Sequence, residues 1–136
     1  MPDHDWKEFV EKAKRVYHKI GAVPCPAFKN ELIWFNQHGW NHLVRKGRKQ
    51  RKYSEQKLRI KLSEHAPMII RSSTHYQTHT KSEEKEPAAY FWSLIGIAEE
   101  IDLTVIVRQL GRKNKHFFSI FPSYRIHKAH KPRRGL

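Results

Sequence analysis

Cysteine is nearly absent: Cys25 stands alone among 136 residues. A lone thiol cannot close an internal disulfide, and its setting, "VPCPAF", offers no second cysteine at metal-ligand spacing, so a disulfide scaffold and a cysteine-based zinc site are both excluded. This usage fits a reducing compartment, and the expected location is cytoplasmic. Long apolar runs are also missing. None approaches the roughly eighteen residues that a membrane-spanning helix needs, and the N-terminal "MPDHDWKEF" has no signal-peptide core. No membrane partner and no export signal are expected. Acidic residues are scarce as well: 13 Asp and Glu face 27 Lys and Arg, leaving a net charge of +14 before any of the 10 histidines takes a proton. Such a field repels itself unless an anion balances it. Neutralising phosphates releases counterions and favours binding without any sequence information, which makes nucleic acid the expected partner. An anionic membrane surface is served less well, because no segment joins a wide apolar face to a uniformly basic one.

What the chain does contain is enough aromatic bulk for a core: 4 Trp, 5 Tyr and 7 Phe. The length suits one domain. Residues 5–20 carry Trp6, Phe9, Val10, Ala13, Val16, Tyr17 and Ile20 at spacings of three and four, the stripe of an amphipathic helix, with Asp3 or Asp5 to cap it and Gly21 to end it. Pro24 and Pro26 then break regular structure. "ELIWFN", residues 31–36, predicts a strand. A helix is expected from His38 to Lys49, weakened at Gly47, and a second from a Ser54 N-cap. A third short one should be capped by Ser63, with Pro67 in its first turn. Residues 74–87 suggest a strand-like piece and an exposed loop, and three aromatic and β-branched runs after Pro87 suggest consecutive antiparallel strands. Helices grouped ahead of an antiparallel sheet indicate an α+β domain. The expected organisation is an N-terminal helix and Pro-rich connection over 1–30, the α+β domain proper over 31–128, and a basic tail over 129–136. There is no internal repeat.

The segment "FNQHGWNHLVRKGRKQRK" carries the chemistry. His38 and His42 stand four apart, and "HYQTH" repeats the spacing at His75 and His79. On a helix such a pair can share a zinc ion, but the metalloprotease pattern wants Glu after the first histidine, where Gly39 stands, and a strongly positive field opposes a divalent cation. No metal site and no cofactor are expected. The cations Arg45, Lys46, Arg48, Lys49, Arg51 and Lys52 read as a surface for the backbone of a polyanion, with His38 as an auxiliary contact. A non-catalytic nucleic-acid-binding module would need no more. However, Trp40, Leu43 and Val44 would anchor the helix and hold His42 in a fixed place. RNA brings its own nucleophile, the 2′-hydroxyl, so an enzyme need only position it, move protons and stabilise a more negative transition state. Histidine can move that proton, and Arg or Lys can supply the charge.

Taken in order, a strand, "HGWNHL", a basic connection, "KLRIKLSEHAPMII" and the strands "LTVIVRQLG" and "KHFFSIFPSYRI" resemble the phage-associated branch of the barnase, EndoU, colicin and RelE-like nuclease superfamily, over roughly residues 31–126. The resemblance implies a small ribonuclease with helices packed on a four-stranded antiparallel sheet. It implies RNA as substrate, tRNA among the candidates, a role as a toxin, and a proteinaceous inhibitor as a second partner. It also implies His42 as general base or acid, Arg108 as a transition-state clamp, Ser119 and Tyr124 as positioning hydroxyls, and Arg125 as a further contact at the sheet's end. Register matters here. A hairpin loop of Arg112 to Lys115 sets Arg108 opposite Ser119, one residue more sets it opposite Phe118, and the sequence leaves both open.

Overall fold

The computed structural model describes residues 3–123; Tyr124, Arg125 and the basic tail expected over 129–136 lie outside the described residues. The first helix, α1, runs over Asp3–Lys19. Its last turn tightens through bonds from the Ile20 and Gly21 amides to the carbonyls of Tyr17 and His18, and Gly21 takes a left-handed φ of 69° that a side chain would resist. The chain then forms a short strand, β1 (Ala22–Cys25), one 3₁₀ turn (Pro26–Phe28) and β2 (Glu31–Trp34). Three helices follow, α2 (Gln37–Val44), α3 (Tyr53–Ser63) and α4 (Ala66–Ser72), with a two-stranded ribbon, β3 (Arg45–Lys46) and β4 (Lys49–Gln50), between the first two. The rest is a meander of β5 (Thr78–Ser82), β6 (Ala89–Ala98), β7 (Ile101–Leu110) and β8 (His116–Pro122).

The α+β class expected from the sequence holds, but the sheet is larger and differently wired. It has six strands in the order β1-β2-β8-β7-β6-β5, and β2 runs parallel to β8, so it is mixed rather than a four-stranded antiparallel sheet. The strand expected over 31–36 is present as β2 and joins this sheet, and β1 is added from the segment that its prolines marked as irregular. Pro24 is tolerated because β1 is an edge strand, where a missing backbone donor costs no ladder bond on the open side. Residues 22–25 and α1 therefore join the same core as the rest: Val23, Cys25 and Tyr17 are buried together with Ile33, Trp40, Leu43, Ile70, Leu94, Val105, Phe117 and Ile120.

Three helical expectations change in detail. The helix expected over 38–49 ends at Val44, because Gly47, with φ of 64°, turns the basic run back on itself as a ribbon that pairs Arg45 with Gln50 and Lys46 with Lys49. Ser54 lies inside α3 rather than capping it; the cap position is Lys52, and the helix start is held by the buried Gln56, whose side-chain nitrogen donates to the Arg51 carbonyl at 2.6 Å. Ser63 closes α3, its hydroxyl donating to the Ile60 carbonyl, and α4 starts at Ala66 with Pro67 in its first turn. Among the described residues no helix is long and apolar enough to cross a membrane.

Candidate active site

The close approach of α2 to β8 builds the site. Asn36 caps α2, its side-chain oxygen accepting from the His38 amide at 3.1 Å. Tyr17 supports the same corner by donating its hydroxyl to the Asn36 carbonyl at 2.8 Å. Trp40 and Leu43 fill the core, which leaves His38 and His42 on the opposite flank of the helix, one turn apart. Gly39 makes this possible: a Cβ there would collide with the Tyr17 hydroxyl and the Phe117 carbonyl oxygen. The glycine that breaks the zinc-protease motif is thus the residue that lets the helix lie against the strand.

On β8 a bulge sets the register. Arg108 pairs with His116 and Val107 with Phe117, and then Ile106 pairs with Ser119, so Phe118 is the extra residue. Both hairpin registers weighed from the sequence are therefore corrected: Arg108 faces neither Ser119 nor Phe118 across the ladder but His116. The connection from Gln109 to Lys115 is longer than either alternative, because a turn at Gly111, with φ of 57°, and a bond from the Gln109 side chain to the Lys113 carbonyl close it on themselves.

Extruding Phe118 creates a shelf for the charged groups. The His42 ring stacks on Phe118 with centroids 4.2 Å apart, and the Arg108 guanidinium lies 4.2 Å from the same ring. Phe91, opposite Arg108 on β6, meets Phe118 edge-on. Arg108 also donates from Nε to His116 Nε2 at 3.0 Å, and His38 stacks on His116 at 5.0 Å. From α3, Arg59 donates from Nη1 to the Ser119 hydroxyl at 3.2 Å. His42, Arg108 and Ser119 therefore share one neighbourhood, joined by His116, Phe118 and Arg59, which the sequence did not single out. Ser119 is buried and serves Arg59 as an acceptor rather than projecting as a free hydroxyl. Tyr124 and Arg125 fall outside the described residues.

The basic run divides in two. Arg45, Lys46, Arg48, Lys49 and Lys52 are exposed. Arg51 is not: it is buried, donates from Nε to the His42 carbonyl at 3.1 Å, and pairs with Glu55 at 2.6 Å. Its placement beside the site is structural, because a buried guanidinium must be matched by acceptors and here fixes the end of α2. Glu55 also reaches Arg59 at 3.4 Å, so one carboxylate orients two arginines.

Electrostatics follow from this crowding. Burial, reinforced by Arg51, Arg59 and Arg108, lowers the His42 pKa to about 4. Burial, with Arg108 and His38, takes His116 to about 3, against a smaller opposing hydrogen bond to the Asn114 backbone. His38 is lowered in the same way by partial burial of its ring, then by Arg108 and Lys113. Neutral imidazoles thus stand among fixed guanidinium charges. His116 Nε2, occupied by the Arg108 donor, holds that arginine in place and is not a free base.

These shifts make fold stability depend on pH. The unfolded chain protonates its histidines near the ordinary 6.5, whereas the folded protein does not protonate His42 until about 4 or His116 until about 3. Their contribution is complete above pH 6.5 and is lost as pH falls toward those values. His116, only 2% exposed, should account for about 2 kcal/mol between pH 7.5 and 5. Chemical denaturation at both pH values checks this: the midpoint should drop at pH 5, and equal midpoints would mean the rings titrate normally.

Among the described residues no three His, Cys, Asp or Glu side chains come together as a metal site. His75 and His79 do not share a helix: His75 lies in a bend and bonds Thr74, while His79 lies on β5. No family model matches the chain, and no curated protein or solved structure matches it.

Proposed function

We propose that the protein is a metal-independent endoribonuclease acting at the shelf formed by Phe118. The observation that carries this reading is a neutral, half-buried His42 beside Arg59 and Arg108: its ring stacks on Phe118 and its main-chain carbonyl accepts from Arg51, while Arg59 donates to Ser119 and Arg108 to His116. A phosphodiester drawn to the two guanidinium groups brings its neighbouring 2′-hydroxyl to His42. The imidazole takes the hydroxyl proton as the 2′-oxygen attacks phosphorus, and the 5′-oxygen leaves with a proton from solvent, producing a 2′,3′-cyclic phosphate. The arginines stabilise the additional negative charge that develops on the phosphorane oxygens.

A pKa near 4 is low for a base working at neutrality. Burial is its larger cause, and the charges of Arg51, Arg59 and Arg108 add to it; an anionic phosphate offsets that second, charge-based part, which moves the His42 pKa upward on binding. His38 lies beside a basic depression lined by Asn36, Arg112, Lys113, Asn114 and His116, suited to the next phosphate along the chain. The exposed ribbon cations give the backbone a further hold. Replacing Arg45, Lys46, Arg48 and Lys49 by Gln should flatten the slope of log affinity against log salt by about three, at roughly 0.7 per phosphate released on a single strand. An unchanged slope places the RNA elsewhere.

Incubation of the protein with RNA and with DNA in EDTA tests the reading. RNA should be cut to fragments with cyclic phosphate ends, and DNA, lacking the 2′-hydroxyl, should survive. Binding without cutting would leave a nucleic-acid-binding module on the same surface.

A further inference from the structure

The "HYQTH" segment has no part in the active site, yet its residues are held with care on the helix-covered face of the sheet. His79 lies flat on Trp92, with ring centroids 4.7 Å apart and planes at 15°. Its Nδ1 sits 3.1 Å from the Phe91 carbonyl oxygen, an acceptor only, so a hydrogen bond donated from Nδ1 ties the ring to β6. Tyr90 runs nearly parallel to His79, at 6.3 Å and 10°. Tyr76 meets His79 edge-on and stacks on Phe28 at 5.9 Å and 13°. Below them, Lys115 Nζ lies 4.9 Å from the Trp92 ring, and Lys81 Nζ lies 5.5 Å from Tyr90. His79 and Tyr76 are exposed, so pre-oriented rings present open faces to solvent.

We propose that this cluster is a second nucleic-acid subsite, a platform on which an unpaired base of a single strand stacks against His79 and Tyr76. Each lysine is also paired with a carboxylate, Lys115 with Glu31 at 2.9 Å and Lys81 with Glu83 at 3.0 Å, so the rings rather than free cations carry the site. Stacking on aromatic rings is how sequence-independent single-strand sites hold bases, since every base has a π face. The lysines over the rings disfavour the main alternative for an aromatic cluster, a cationic ligand held by the ring faces. The basic loop at the sheet's end lies between the active site and the platform. The loop that supplies Arg112, Lys113 and Asn114 to the depression beside His38 is tied down by Gln109, and Gln109 pairs with Tyr90 across β6 and β7. Neighbouring strand positions face opposite ways, so Phe91 and Arg108 put the active site on one face of the sheet while Trp92 and His79 put the platform on the other, with that loop at the sheet's end between them. The subsite rests on the nucleic-acid reading but not on cleavage.

The test uses two uncleavable probes of equal length and charge, a short oligothymidylate and its abasic counterpart, with affinity measured by fluorescence anisotropy at low salt. Wild type should bind the base-bearing strand about tenfold to a hundredfold more tightly. Tyr76→Ala and His79→Ala should each reduce that preference and leave affinity for the abasic strand unchanged, while Tyr76→Phe should keep it. Tyr76 is 45% exposed, so its variants retain the fold and decide the matter even if His79→Ala disturbs β5. Equal wild-type affinity for the two probes, or full preference in Tyr76→Ala, overturns the platform alone. Failure of wild type to bind either probe overturns the nucleic-acid reading with it.

Discussion

His42→Ala should lower single-turnover RNA cleavage by about 10²- to 10⁴-fold at neutral pH while RNA affinity changes little, since general acid–base catalysis is worth that much and the phosphate is held by other groups. His42 makes its contacts with Phe118 through the ring and with Arg51 through its main-chain carbonyl, so the alanine variant keeps the bond to Arg51 that fixes the end of α2. His38→Ala should cost clearly less, because His38 stacks on His116 at the edge of the depression rather than on the shelf. The pH profile adds a signature that a merely structural histidine would not give. In the free protein His42 loses its proton near pH 4, so kcat/KM should rise with pH in the acid range and level off below neutrality. The corresponding limb in kcat, which reports the complex, should lie at higher pH because bound phosphate raises the pKa. Both limbs should vanish in His42→Ala.

Arg108→Lys should lower kcat by about 10²- to 10³-fold, the range found when one preorganised donor to a developing oxyanion is lost. The charge is kept, yet the variant cannot reproduce the geometry. Arg108 uses Nε for His116 and sets its guanidinium carbon over Phe118, which leaves its terminal nitrogens for a phosphate; an ammonium group has no such fork. Binding should weaken far less than turnover, because on the proposed reading the exposed ribbon cations still hold the phosphate backbone. A variant as fast as wild type would remove Arg108 from the reaction.

Much of this arrangement was legible in the sequence where order is local. The three- and four-residue spacing from Trp6 to Ile20 gave α1, and the β-branched runs after Pro87 gave β6 to β8. His42 could be placed because Trp40 and Leu43 fix the buried side of its helix. What escaped depends on contacts between distant residues. The parallel pairing of β2 with β8 rests on Trp34 meeting His116, and nothing local to either strand encodes it. The bulge at Phe118 decides which residue faces Arg108, and a one-residue slip reverses that assignment. Arg59 looked like an ordinary helix cation; its spacing of four from Glu55 was the available signal, but only the fold reveals Ser119 at its tip. Arg51 illustrates the converse. In a run of like charges one member was buried, and composition cannot say which.

On the proposed reading, cleavage uses the substrate's own 2′-hydroxyl at His42, without a metal. The direct measurement is cleavage, in EDTA, of a DNA strand carrying a single ribonucleotide, comparing wild type with His42→Ala and analysing the new ends. Wild type should cut once, immediately 3′ of the ribonucleotide, leaving a 2′,3′-cyclic phosphate, and the variant should cut little or not at all. Cutting at deoxyribonucleotides, cutting restored only by added metal, or equal cutting by His42→Ala would contradict this reading.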